Sequence, residues 1–250
     1  TDTLPFPYGN VIKDTLFPEI HYTNLNDGVE RIFAPDFKTR AVVVVYKNRI
    51  VAEKYAEGFD ENSLILGWSM TKSITATLYG IMQSRGMLSV DEKTLLAEWQ
   101  PDDRKEITLH QLLQMNSGLE WDENYFTLSD VTKMLYLETD MSEPQRRKPL
   151  LHPPGTHWKY SSGVTNLLSG YLKNYFENDQ AYLNFWYSAL IDKIGMHSMV
   201  IETDLANNFV GSSYAWATPR DWSKFGLLYL NRGWWNGEQV FDPSWADYVA

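Results

Sequence analysis

The sequence predicts an α+β fold, on two observations. Two short β-branched runs, Ala41–Tyr46 and Ile50–Tyr55, lie close together near the N-terminus. After them, apolar residues recur at helical spacing in one segment after another. Strands first and helices afterwards is the order of an α+β domain. The 250 residues are enough for one large domain or two intimate ones. We divide them into residues 1–85, an N-terminal part carrying strands and one helix, residues 86–200, a mainly helical subdomain inserted into it, and residues 201–250, a return to the first part.

In chain order, residues 1–20 hold Pro5, Pro7 and Pro18 without periodicity and read as an irregular arm. Asp27-Gly28 reads as a turn. Ala41–Tyr46 is a buried strand, and Lys47-Asn48 turns it into Ile50–Tyr55 as a hairpin closed by Gly58. Thr71 to Arg85 has Ile74, Leu78, Ile81 and Met82 on one helical face, with Gly86 as its C-cap. Ile107–Leu113 is helical with Thr108 as N-cap, and Leu128–Leu137 is a second short helix. Residues 138–156 carry four prolines and read as a surface loop. Val164–Phe176, Tyr182–Ile191 and Thr218–Leu230 complete the helices, and Asp242-Pro243 starts another.

Composition excludes several functions. The formal net charge of −10 argues against a phosphate-backbone binder, which needs a basic face. No run of about 18 apolar residues is present to cross a membrane. The absence of Cys removes disulfides and thiolate metal sites. The five histidines form no His-Glu-x-x-His pattern, and nothing calls for a cofactor. Ten Trp fit a large aromatic core or an aromatic-walled cleft.

Chemistry concentrates at Gly67-Trp68-Ser69-Met70-Thr71-Lys72-Ser73. Residues three apart on a helix share a face, so Lys72 can lean back over Ser69. A serine hydroxyl becomes a useful nucleophile when a neighbour takes its proton. The helix mouth adds backbone N–H groups that favour an anion. On these residues alone, a capping serine beside a solvated lysine is the competing account.

Four stretches taken together resemble the serine β-lactamase and penicillin-recognising hydrolase superfamily. They are Trp68 to Ser73, Leu109 to Gly118, Pro154-Gly155-Thr156-His157-Trp158-Lys159-Tyr160-Ser161-Ser162, and Ser213 to Asp221. The Tyr-x-Ser second motif is similar to the branch of class C β-lactamases, esterases and 6-aminohexanoate-oligomer hydrolases. The resemblance implies a β-lactamase/transpeptidase-like fold, an antiparallel sheet flanked by helices with a mainly helical subdomain. It implies Ser69 as acyl-accepting nucleophile, Lys72 as its proton partner and Tyr160 as the second acid or base. Ser162 would help to hold Lys72 and the substrate. Glu123-Asn124-Tyr125 followed by Ser129-Asp130-Val131 resembles a segment of the aminohexanoate-oligomer hydrolases in which a tyrosine contacts the substrate amide, which nominates Tyr125. The resemblance favours a periplasmic or extracytoplasmic setting, with a cytoplasmic one as the alternative. The partner that the resemblance implies is a small-molecule or peptide-like substrate: an amide, an ester or a β-lactam.

The family's third motif, Lys-Thr-Gly, His-x-Gly or Trp-x-Gly on a strand, is the departure. Trp235-Asn236-Gly237 fits the last form, yet its surroundings read as a turn. We therefore expect the third motif beyond Ala250, and these residues to be less than the whole catalytic unit. Two other functions compete. Gly67-Trp68-Ser69-Met70-Thr71 is one residue short of a Gly-x-Ser-x-Gly elbow, for which His152, His157 or His197 would complete a triad. A non-catalytic binding or sensor domain on the same fold is the other.

Overall fold

The computed structural model describes residues 4–93 and 95–250. In chain order the elements are α1 (Tyr22–Ile32), β1 (Ala41–Tyr46), β2 (Arg49–Tyr55), β3 (Ile65–Leu66), α2 (Thr71–Ser84), α3 (Leu109–Leu113), α4 (Asp130–Leu137), α5 (Glu143–Arg146), α6 (Ser162–Tyr171), α7 (Asp179–Trp186), β4 (Val200–Ile201), β5 (Ala215–Ala217), α8 (Pro219–Leu230), β6 (Trp234–Trp235), β7 (Glu238–Gln239) and α9 (Pro243–Val249). They gather into two compact units. The first holds the described residues up to Ile65, with Ile191–Val200 and Trp216–Ala250. The second holds the described residues of Leu66–Leu190 and Ile201–Ala215.

In the first unit β1 and β2 pair antiparallel, Ala41 opposite Tyr55, with an irregularity between Val44 and Val45. Lys47 and Asn48 have φ of 46° and 59°, the left-handed pair that a two-residue hairpin turn requires. β1 was expected to be buried, but its residues are half-buried throughout. Among the described residues it pairs with β2 alone, so its other edge has no ladder partner. α8 packs against it. Asp27-Gly28 is not a turn; it lies inside α1. Leu25 and Val29, one helical turn apart, are half-buried and buried there while Ile32 is exposed, and that packing outweighs the local turn preference of the dipeptide. Near the C-terminus, Trp234 pairs with Gln239 and Trp235 with Glu238. Asn236 and Gly237, at φ 46° and 88°, form the turn between them, as the sequence suggests. Asp242 caps α9 by accepting from Ser244 N–H.

The second unit is helical. α2 runs through its core with Ile74, Leu78, Ile81 and Met82 fully buried. A second cluster joins Trp121, Val131, Met134, Leu135 and Val210. Thr108 with Gln111 caps α3, and Ser129 with Thr132 caps α4, each satisfying two amides at the helix mouth. The expected helix from Val164 splits into α6 and a 3-10 turn at Leu172–Tyr175. The one expected at Tyr182 begins earlier, where Asn178 caps Asp179, and ends in a π turn at Tyr187–Ile191. Residues 138–156 are not wholly a surface loop, because Pro144 sits in the first turn of α5, where its missing N–H costs nothing. Gln145 of that turn is fully buried, giving a hydrogen bond to Glu120 O and taking one from Ser161 Oγ. No helix of the described residues is long and apolar enough to cross a membrane.

Candidate active site

A 3-10 turn, Trp68–Met70, feeds directly into α2 and places Ser69 at the helix mouth. The turn takes up the first amides: Met70 N–H donates to Gly67 O at 3.0 Å and Thr71 N–H to Trp68 O. The turn is held on both sides. Gly67 N–H donates to Ala215 O at 2.8 Å, and Ala215 N–H donates to the buried Thr71 Oγ1 at 3.2 Å. Trp68 has φ of 45°, a left-handed conformation costing a bulky residue ~1–3 kcal/mol. Its ring meets Tyr214 edge to face at 6.4 Å. Strain thus falls on the residue immediately before the candidate nucleophile.

Lys72 Nζ lies 3.2 Å from Ser69 Oγ, the geometry expected from their spacing on a helix. It also donates to the carbonyl of Ser212 at 2.8 Å. That carbonyl comes close because Gly211 does: a Cβ there would stand 2.5 Å from Thr75 Oγ1, and Thr75 in turn bonds Gly211 O. Tyr160 Oη donates to Ser69 Oγ at 2.7 Å. Lys72 Nζ sits 5.0 Å from the centre of the Tyr160 ring, within cation–π range. Ser69 therefore has a cation on one side and a phenol on the other, brought together from positions 91 residues apart.

Ser162 is the first residue of α6, two after Tyr160 and capped by Ser161. It was expected to help hold Lys72 and the substrate; the hydrogen bonds it makes run to Glu123. Its N–H donates to Glu123 Oε2 at 2.9 Å and its Oγ to Glu123 Oε1 at 2.5 Å, so both donors of this helix mouth point at a carboxylate. Tyr125 Oη donates to the same Oε1 at 2.7 Å and stands 3.4 Å from Ser162 Oγ. Burial foremost, together with the Glu123 hydrogen bond, pushes the Tyr125 hydroxyl up to about 12, Ser162 acting the other way. The indole of Trp121 also donates to Glu123. Trp121 is fixed by α6, since a Cβ on Gly163 would stand 2.6 Å from the indole edge.

Sequence reasoning missed two partners. The Ser212 carbonyl has no side-chain signal at all. Glu123 lay in a quoted stretch, two residues from Tyr125, but only its four converging donors single it out. Of the histidines weighed for a triad, His152 and His157 stack on each other at 4.2 Å, while Ser69 Oγ takes its bonds from Lys72 and Tyr160. His197 belongs to the first unit. Among the described residues no group of three or more His, Cys, Asp or Glu is gathered to hold a metal ion.

The family model described as Beta-lactamase matches residues 30–240. The chain belongs to the Beta-lactamase family. Solved structures share the fold of this Beta-lactamase family member at low identity. The Bacillus anthracis protein named "Putative 6-aminohexanoate-dimer hydrolase" is 23% identical with a TM-score of 0.76, covering 88% of this chain and 61% of its own. A Bacteroides dorei protein named "putative beta-lactamase" is 18% identical with a TM-score of 0.72, covering 90% and 68%. D-alanine carboxypeptidase AmpC from Burkholderia cenocepacia is 19% identical with a TM-score of 0.64, covering 91% and 68%. The chain thus spans 61% of the Bacillus anthracis protein's length. Comparison with curated proteins returns no match. The β-lactamase/transpeptidase-like α+β fold is established by the family match and these likenesses.

Proposed function

We propose that the protein is a serine hydrolase that works through an acyl-enzyme on an amide, ester or β-lactam substrate. One observation carries this reading: Ser69 Oγ lies between Lys72 Nζ at 3.2 Å and Tyr160 Oη at 2.7 Å. A merely capping serine has no need of either. Family membership and hydrolase names among the structural neighbours support the reading.

In the arrangement seen, both Lys72 and Tyr160 donate to Ser69. Removing one proton from this trio lets Ser69 donate instead, and its oxygen gains nucleophilicity. Oγ then forms a bond to the substrate carbonyl carbon as its proton passes to the deprotonated partner, Tyr160 or Lys72, and the carbonyl π pair moves to oxygen. That charge develops at the mouth of α2, where the helix dipole favours an anion. Collapse breaks the bond to the leaving nitrogen or oxygen, which takes the proton back through Tyr160. Water, deprotonated by the same pair, releases the acid and restores Ser69. Lys72 shares that proton traffic, and whenever it holds its proton its ammonium stabilises negative charge on Tyr160 or Ser69.

The test is intact-mass spectrometry after exposure to β-lactams, nitrophenyl esters and a fluorophosphonate. An adduct of one acyl or phosphonyl group is expected on the parent and absent from Ser69→Ala. Labelling of Ser69→Ala at parental stoichiometry would refute the assignment.

A further inference from the structure

The second unit holds a cavity of about 230 Å³ that shares no residue with the Ser69 site. Asp140, Ser142, Arg146, Lys173, Asn174 and Asn208 are among the residues that line it. At roughly 30 Å³ of liquid volume per water, it has room for a molecule of about eight heavy atoms. What that molecule must carry follows from which polar atoms the fold has already used.

Asn208 is only 4% exposed. Its side-chain NH₂ donates to Asp140 Oδ1 and to Asp204 Oδ2, each at 2.9 Å. Two carboxylates fix the orientation of that amide, so its Oδ1 points the other way. Among the described residues nothing donates to this oxygen, yet it is not sealed in the interior as Asn116 Oδ1 is. The cavity is its opening. Gly170 of α6 keeps the space clear, since a Cβ there would stand 2.5 Å from Ser142 Cβ and 3.4 Å from Asn208 Oδ1. Asp140 Oδ1 also accepts from Ser142 N–H at 2.9 Å and Ser142 Oγ at 2.7 Å, which leaves Oδ2 as the oxygen without a donor among the described residues. Asp204 is filled by contrast, taking the N–H groups of Met141, Ala206 and Asn208 besides that amide. The lining thus presents two unmet acceptors, one of them charged. A buried acceptor without a donor is costly, and a charged donor answers both.

The cations of the lining have N–H groups to spare. Arg146 pairs with Glu98 and Glu143, which occupies three of its five N–H groups. Lys173 donates to Ala206 O at 2.6 Å and faces Asp179 at 3.3 Å, which occupies two of its three. A metal ion would meet the acceptors and leave the N–H groups and most of the volume unused. A simple amine would leave the N–H groups unused as well. We infer that this cavity is a second binding site, for a small amino acid whose ammonium meets Asp140 Oδ2 and Asn208 Oδ1 and whose carboxylate meets the spare N–H groups of Arg146 and Lys173. The inference stands apart from the hydrolase reading of Ser69.

The test is isothermal titration calorimetry of the full chain with glycine, β-alanine, L-serine and γ-aminobutyrate, which space their two charges differently. At least one should bind with a Kd in the millimolar range or tighter, as suits so small a ligand. Blocking either charge of that compound, as its N-acetyl derivative or its carboxamide, should weaken binding ~10-fold or more. Asp140→Asn keeps an oxygen for the three donors on Oδ1 and puts an NH₂ in place of Oδ2, so that a donor faces the ammonium. It should weaken binding by the same ~10-fold or more, with a urea unfolding curve to show that the variant is folded. Should it not fold, the blocked derivatives decide on the parent. No binding by any of the four up to about 20 mM overturns the inference. Binding that survives unchanged in folded Asp140→Asn overturns it too, by placing the ligand elsewhere, the Ser69 cleft included. Equal binding of the carboxamide, or binding of Ca²⁺ in place of all four, overturns the amino-acid assignment.

Discussion

Replacing Tyr160 by Phe removes one oxygen and leaves the rest of the site standing. The 2.7 Å bond to Ser69 Oγ is lost. The ring that Lys72 lies over at 5.0 Å remains, as does the 2.8 Å bond that anchors Lys72 to Ser212 O. The change therefore isolates proton transfer from positioning. One well-placed acid–base group is worth ~10²–10⁴ in rate, or about 3–5 kcal/mol of activation free energy. The same bond should contribute no more than about 1 kcal/mol to folding, because it joins two water-accessible hydroxyls. Activity and stability should therefore separate by at least two decades of rate. The assay is nitrophenyl-ester turnover and fluorophosphonate labelling rate, beside a urea unfolding curve for each protein. Turnover within about threefold of the parent, in a variant that unfolds like the parent, would remove Tyr160 from the mechanism and refute the trio.

Lys72→Arg keeps the positive charge but cannot accept a proton, and should lower ester turnover by ~10²-fold or more; near-parental rates would reduce the lysine to an electrostatic role. In the first unit, Lys224 and Asp221 form a nearly buried pair at 2.8 Å, with Lys224 also donating to Gly195 O and Asp221 accepting from Ser198. Lys224→Met leaves that carboxylate without its cation and should cost ~3–5 kcal/mol in urea unfolding, whereas a loss under about 1 kcal/mol would mean that water or Ser198 suffices. Burial pushes the Glu53 carboxyl up, but Arg220, through two 2.7 Å bonds, and Tyr55 outweigh it and hold the group below its usual range. A folded value below the unfolded one gives stability that is fully present above the unfolded value of ~4.3 and drains as pH falls through the folded one. The stability gap between parent and Glu53→Gln should thus be widest near neutrality and shrink toward pH ~3; a gap constant over that range would contradict the ion-pair account.

Local chemistry was enough for much of this protein. Lys47-Asn48 between two β-branched runs determined the first hairpin, since only a left-handed pair of residues turns a strand so tightly. The spacing Ile74, Leu78, Ile81, Met82 determined the buried face of α2, and Ser69 three residues before Lys72 put the two side chains together before any tertiary contact formed. These are relations over a few residues, and the backbone period alone enforces them. Pairing of Ser69 with Tyr160 was legible only through resemblance, because it spans 91 residues. The rest belonged to the tertiary structure. α1 formed across Asp27-Gly28 because it packs against β2 with Val29 buried, and Gln145 went inside because Glu120 and Ser161 offered it partners. Ser212 reached Lys72 through a backbone carbonyl, a group every residue carries and no sequence can flag. Glu123 became the hub of four donors only when α6 brought its N-terminus to it, since which lone pairs a carboxylate fills is decided by what the fold packs around it.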